Sequence, residues 1–186
     1  MRKWYDLGIK YTLYALPAIV PVIFSPDFFT VFSAPKLLAL QALTLLIMLF
    51  WGAKVFVEGG FDCRRGGLNW VLLAYAAVSL INTIYSTAFY TSLLGAQGRS
   101  LGIFTLLNFL LLPLFVWNFL KDKKEIVTLL KISFAVAGVL ALYGIVQFFG
   151  FFQESFNWDI SPGERVFGTI GHGNHFGAYL GMHALL

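Results

Sequence analysis

Three cations stand apart in this 186-residue chain: Lys36 in FSAPKLLAL, Arg99 in GAQGRSLGIF and Arg165 in GERVFGTIGHGN. Each sits at the edge of a long apolar run. The two arginines lie among glycines, which leave the backbone open to close approach. A guanidinium donates in a planar fork that matches phosphate oxygens, so Arg99 and Arg165 together have the chemistry to hold a diphosphate. The pair Gly173-Asn174 that follows Arg165 reads as a helix start, with Asn174 as its N-cap. Such a start offers free N–H groups and the positive end of a helix dipole. Arginine, glycine and a helix start in one stretch therefore point to an anion pocket. The competing reading is that the three side chains reach to lipid headgroups and anchor their helices.

Three histidines share the stretch. His175 and His183 are eight residues apart and fall on one helix face, with His172 in the preceding loop. The spacing matches no standard zinc motif and no acid accompanies them within the helix, so metal binding is the weaker expectation. Polar lining of a cavity is the stronger one, beside simple packing, and an ionisable side chain in a membrane span is by default a functional candidate. Cys63 is the one cysteine, which excludes an intrachain disulfide and a thiolate metal cluster. No P-loop or dinucleotide fingerprint is present, and the reading calls for no metal and no cofactor.

These residues need elements to hold them. Apolar residues make up 59% and charged residues 12% of the chain, with a mean hydropathy of +0.78. A soluble domain is roughly 45–50% apolar and about 25% charged, so this is the composition of an integral membrane protein. Five runs approach the roughly 20 residues needed to cross a bilayer: Leu7–Phe24, Leu37–Val57, Leu68–Thr87, Leu101–Leu120 and Ile126–Phe149. A sixth, 174–186, reaches the last residue. The expectation is an all-α polytopic transmembrane bundle of five full spans and a truncated sixth. It forms a single transmembrane domain over 1–186, the N-terminal part of a longer protein. No run alternates with period two, which excludes a transmembrane β-barrel. Pro17 and Pro21 in the first run argue against a cleaved signal peptide.

Charge placement orients the bundle. With a cytoplasmic N-terminus the inner segments hold Arg2, Lys3, Lys10, Lys54, Arg64, Arg65, Lys121, Lys123, Lys124 and Lys131, against Lys36, Arg99 and Arg165 outside. That is the positive-inside pattern. Trp4, Trp51, Trp70 and Trp117 fall at the inner helix ends, where amphipathic rings favour the headgroup layer, and Tyr85 and Tyr90 mark the outer side. The cations are short clusters between apolar runs, not a face interleaved with aromatics, so nucleic acid is not an expected partner. Gly138, Gly144 and the Gly177-x-x-x-Gly181 pattern invite close helix packing.

RVFGTIGHGNHFGAYLGMHALL resembles the arginine, glycine-threonine and asparagine signature before a central helix in the O-antigen ligase-like membrane family. GAQGRSLGIFTLLNFLL is similar to that family's outer loop, and FFTVFSAPKLLALQAL to its proline-lysine start of the second helix. Arg165, Gly168, Thr169, Gly171 and Asn174 fit the first pattern and Arg99 the second. His172-Gly173-Asn174 departs from it, because the family commonly carries asparagine-proline-asparagine there. The resemblance implies a GT-C-like architecture in the bacterial inner (cytoplasmic) membrane. It implies metal-independent, inverting transfer of a glycan from undecaprenyl diphosphate to an acceptor at the outer face. The acceptor would be lipid A-core, a growing glycan or a protein. Arg99, Arg165 and Lys36 would then hold the donor's diphosphate. The family's base lies in a large outer loop further along the chain than Leu186, so these residues are expected to lack it. Two other classes stand beside this reading: a transporter or channel module, and a non-catalytic helical subunit.

Overall fold

The computed structural model describes residues 3–28, 30–60, 64, 66–96, 100–150 and 165–185. Seven helices occur among them, and no strand: α1 Trp4–Ile19, α2 Ser33–Glu58, α3 Gly67–Ile84, α4 Phe89–Leu94, α5 Ile103–Phe119, α6 Lys123–Phe148 and α7 Gly173–Leu185. The helices α2, α3 and α6, of 26, 18 and 26 residues, are long and apolar enough to cross a membrane. Leu49, Val71 and Leu142 on them are exposed, which is the arrangement lipid-facing helices require, since hydrocarbon can cover what water cannot. The chain has the character of a membrane protein.

The other expected spans are helices too, with edges moved by local chemistry. Pro21 has no N–H, and its ring obstructs the carbonyl four residues earlier. The first helix therefore stops at Ile19 instead of reaching Phe24, and Val20–Val22 form a turn. The second helix starts at Ser33, because Pro35 falls in its first turn, where a missing N–H costs nothing. The fourth expected span, α5, has 17 residues with Pro113 inside it. At 1.5 Å per residue it is about 25 Å long, shorter than the roughly 30 Å hydrocarbon core.

The chain divides into two compact units, one of residues 1–15 and 40–126 and one of 16–39 and 127–186. In the first, Tyr5, Ile9 and Leu13 recur every four residues along α1 and are buried, as are Leu40, Thr44 and Ile47 on α2. Gly8 lets the Phe50 ring approach within 2.8 Å of where a Cβ would stand. Polar contacts gather at one set of helix ends. Asp6 near the start of α1 pairs with Lys54 near the end of α2 at 2.8 Å, and Lys3 pairs with Glu58 at 2.9 Å. Lys10 pairs with Glu125, in the first turn of α6. Trp51 meets Phe115 near the end of α5, and the Arg64 guanidinium, just before α3, lies 4.1 Å from the Trp117 ring centre.

These contacts join the starts of α1, α3 and α6 to the ends of α2 and α5. Consecutive long helices in this unit thus alternate in direction, as the charge pattern requires. Three of the four tryptophans expected at inner helix ends, Trp4, Trp51 and Trp117, gather at these helix ends, Trp4 against Tyr5 and Phe50.

In the second unit α6 and α7 run antiparallel. Phe176, in the first turn of α7, seats against Gly144 near the end of α6. His183, in the last turn of α7, bonds Ser133 in the first half of α6 at 2.8 Å. Of the glycines read as packing positions, Gly144 meets a neighbour, whereas Gly138, Gly177 and Gly181 face open space. Close packing at the Gly177–Gly181 pattern is therefore absent from the described residues.

Candidate functional site

The second unit carries most of the candidate residues in one place, built from the turn after α1, the start of α2, the end of α6 and the loop into α7. The chain just past α1 carries carbonyls that no helix pairs. Lys36 Nζ donates to two of them, Pro21 O at 3.0 Å and Ile23 O at 2.6 Å. Pro21 O also accepts the Thr169 hydroxyl at 2.7 Å. Thr169 is buried, so its hydroxyl needs this partner. Lys36 has one further N–H to offer.

The loop 165–172 is held from beneath by Gln147. Its Oε1 accepts the N–H of Gly168 at 2.9 Å and of Phe167 at 3.3 Å. Gln147 is 4% exposed in the apolar second half of α6. Sequence reasoning missed it, though a lone amide in an apolar span was a visible signal. Gly168 adopts φ +52° and Gly171 φ +90°, both in the left-handed region that favours glycine. At Gly168 an added Cβ would lie 2.8 Å from Phe176, and at Gly171 it would overlap the Phe32 ring. The glycine pattern of this stretch thus has a direct physical cause.

Above this base the loop meets the start of α7. Arg165 Nη1 donates to Asn174 Oδ1 at 3.3 Å, and both residues are exposed. The helix begins at Gly173, one residue earlier than expected, so Asn174 is not its N-cap. His172 is: its Nδ1 accepts the Asn174 N–H at 3.2 Å, and its carbonyl accepts the Phe176 N–H at 2.9 Å. Asn174, freed from capping, presents its amide to Arg165. The His172 and His175 rings stand 5.0 Å apart, both exposed. His172→Ala is expected to lower stability by about 1 kcal/mol, the usual worth of a cap. His172→Asn restores it, and thermal unfolding of the detergent-solubilised protein reads both.

His183 lies apart from this cluster, at the other end of α7. A carbonyl only accepts, so Nδ1–H donates to Tyr179 O at 2.8 Å, and in the neutral ring Nε2 then accepts the Ser133 hydroxyl. It ties α6 to α7. Arg99 lies outside the described residues, as do Glu164 and Cys63. The residues after Arg99 are described: Ser100 has φ +49°, and Gly102 approaches Leu93 and Gly95 so closely that no side chain fits.

The structure therefore brings together Lys36, Arg165, Gly168, Thr169, Gly171, His172, Asn174 and His175. Chemically the cluster offers one exposed guanidinium, one part-committed ammonium and the N–H groups of a helix start, all suited to an anion. The class these features define is an all-helical membrane protein with a cationic, glycine-shaped loop at a helix start. Comparison of the chain with family models, with curated proteins and with solved structures found no match.

Proposed function

We propose that this chain is the donor-side part of an O-antigen ligase-like glycosyltransferase of GT-C-like architecture. It sits in the bacterial inner membrane with a cytoplasmic N-terminus, and α7 starts the sixth of its spans. It transfers a glycan from undecaprenyl diphosphate to an acceptor at the outer face. The observation that carries this reading is Arg165, exposed beside Asn174 at the start of α7 on a loop pinned by Gln147 and Thr169. A cation fixed in place stabilises charge as it develops and needs no reorganisation when the bond breaks. In the proposed reaction the acceptor hydroxyl oxygen attacks the sugar's anomeric carbon, its proton passes to a general base outside this cluster, and the lipid diphosphate leaves with the bonding electrons. Arg165 and the α7 N–H groups receive that charge, and Lys36 supports the same end. Arg99 acts on the same diphosphate by the sequence resemblance alone.

The test is glycan transfer in cells carrying the protein with Arg165→Ala or Arg99→Ala. Transfer falls by about 100-fold or more for each, the scale of losing one transition-state donor, while membrane insertion is unchanged. Normal transfer by both variants would overturn the proposal.

A further inference from the structure

At the polar end of the first unit the acids near the long-helix ends are matched: Asp6 pairs with Lys54, Glu58 with Lys3 and Glu125 with Lys10. The cations Arg64, Lys121 and Lys123 are left exposed, with Asp122 as the acid between the two lysines. They form one patch. The Arg64 backbone N–H donates to Asn118 Oδ1 at 2.7 Å, and Asn118 is three residues before Lys121. Three residues extend at most about 11 Å, so the hydrogen bond brings the Arg64 backbone to the same helix end as the α5–α6 connection that carries Lys121.

Arg64 is preorganised within that patch. Its guanidinium lies 4.1 Å from the Trp117 ring centre, a stacking contact that fixes a long side chain before any ligand arrives. Gly66 makes room for that indole, since a Cβ there would lie 3.3 Å from the ring. The short α5 matters as well. A helix of 17 residues falls below the roughly 30 Å hydrocarbon core, and bilayers thin around such a helix. Lys121 and Lys123, directly after it, then meet the lipid phosphates.

We infer that Arg64, Lys121 and Lys123 form a binding site for the phosphate headgroup of an anionic phospholipid, between the start of α3 and the α5–α6 connection. This goes beyond a diffuse attraction, because the guanidinium is held against the Trp117 ring and a planar donor fork matches phosphate oxygens. The site belongs to the first unit and the Arg165 cluster to the second, and it does not depend on glycan transfer.

The experiment reconstitutes the protein in phosphatidylcholine vesicles that carry spin-labelled phosphatidylglycerol or spin-labelled phosphatidylcholine. The motionally restricted fraction of each label reports lipid held at the protein. The wild type holds phosphatidylglycerol in at least about fivefold preference, the scale of one cation near a surface. The triple variant R64Q/K121Q/K123Q loses that preference, and K131Q, a cation on α6 outside the patch, keeps it. A triple variant that retains the wild-type preference would overturn the inference. If the triple variant fails to fold, Arg64→Lys decides, since it keeps the charge and loses the planar fork. A preference lowered in that variant supports the site, and an unchanged one refutes it.

Discussion

Lys10→Met destabilises the folded protein by about 3–5 kcal/mol, the cost of stranding a buried charge. The Lys10 ammonium pairs with Glu125, and their side chains are 18% and 9% exposed. Glu125 is the third residue of α6, and its other oxygen accepts the backbone N–H of Asp122 at 3.4 Å, the reciprocal half of a capping box. Removing the ammonium leaves this carboxylate buried without the Lys10 charge. Replacing both partners, Lys10→Met with Glu125→Leu, recovers most of the loss, because an apolar pair carries no desolvation cost. The outer pair Lys3–Glu58 gives the contrast. Its lysine is 55% exposed, so Lys3→Met changes stability by less than about 1 kcal/mol. Equilibrium unfolding in detergent, arranged as a double-mutant cycle, measures all four values. A single Lys10 variant within 1 kcal/mol of wild type contradicts the assignment by the same principle.

Gly171→Val costs about 3 kcal/mol and removes the loop geometry that Arg165 depends on. Two causes add. Gly171 has φ +90°, where a β-branched residue is strained by roughly 1–2 kcal/mol. Its new side chain would also occupy the space of the Phe32 ring, and overpacking costs typically 1–3 kcal/mol. Phe32 is held in turn against Phe167, with ring centres 5.5 Å apart, so the ring cannot yield without moving the loop. Gly177→Ala should change stability in the opposite direction. Nothing lies within 4 Å of the position in this helix, and alanine exceeds glycine in helix propensity by up to about 1 kcal/mol. Thermal unfolding compares the two glycines directly. Equal effects at both would mean that backbone strain and the Phe32 contact play no part at Gly171.

The three candidate cations differ in how far the sequence anticipated their surroundings. Arg165 and Asn174 belong to one motif in the sequence, yet Asn174 serves as the hydrogen-bond partner of Arg165 and not as the helix cap. Lys36 was read from its place at a span edge. That it closes off the carbonyls of Pro21 and Ile23 required the chain to return on itself after Pro21. Gln147 was not singled out, because its value lies in the two N–H groups it receives from a loop some twenty residues away.

The sequence by itself determined the helical, membrane-type character of the chain and the ends at which its charges gather. Those properties rest on quantities additive along the chain: hydropathy summed over a span, and the bias of lysine and arginine toward alternate loops. The Asp6–Lys54 and Lys10–Glu125 pairs join helix ends that the charge count had already grouped. The tertiary structure alone decided which residue caps α7, what His183 bonds and which glycines are packed. Each of these depends on the identity of a spatial neighbour. Histidine and asparagine both offer a capping acceptor, and Gly144 and Gly177 look alike in sequence. Only the arrival of Phe176 beside one of them, and of no side chain beside the other, tells them apart.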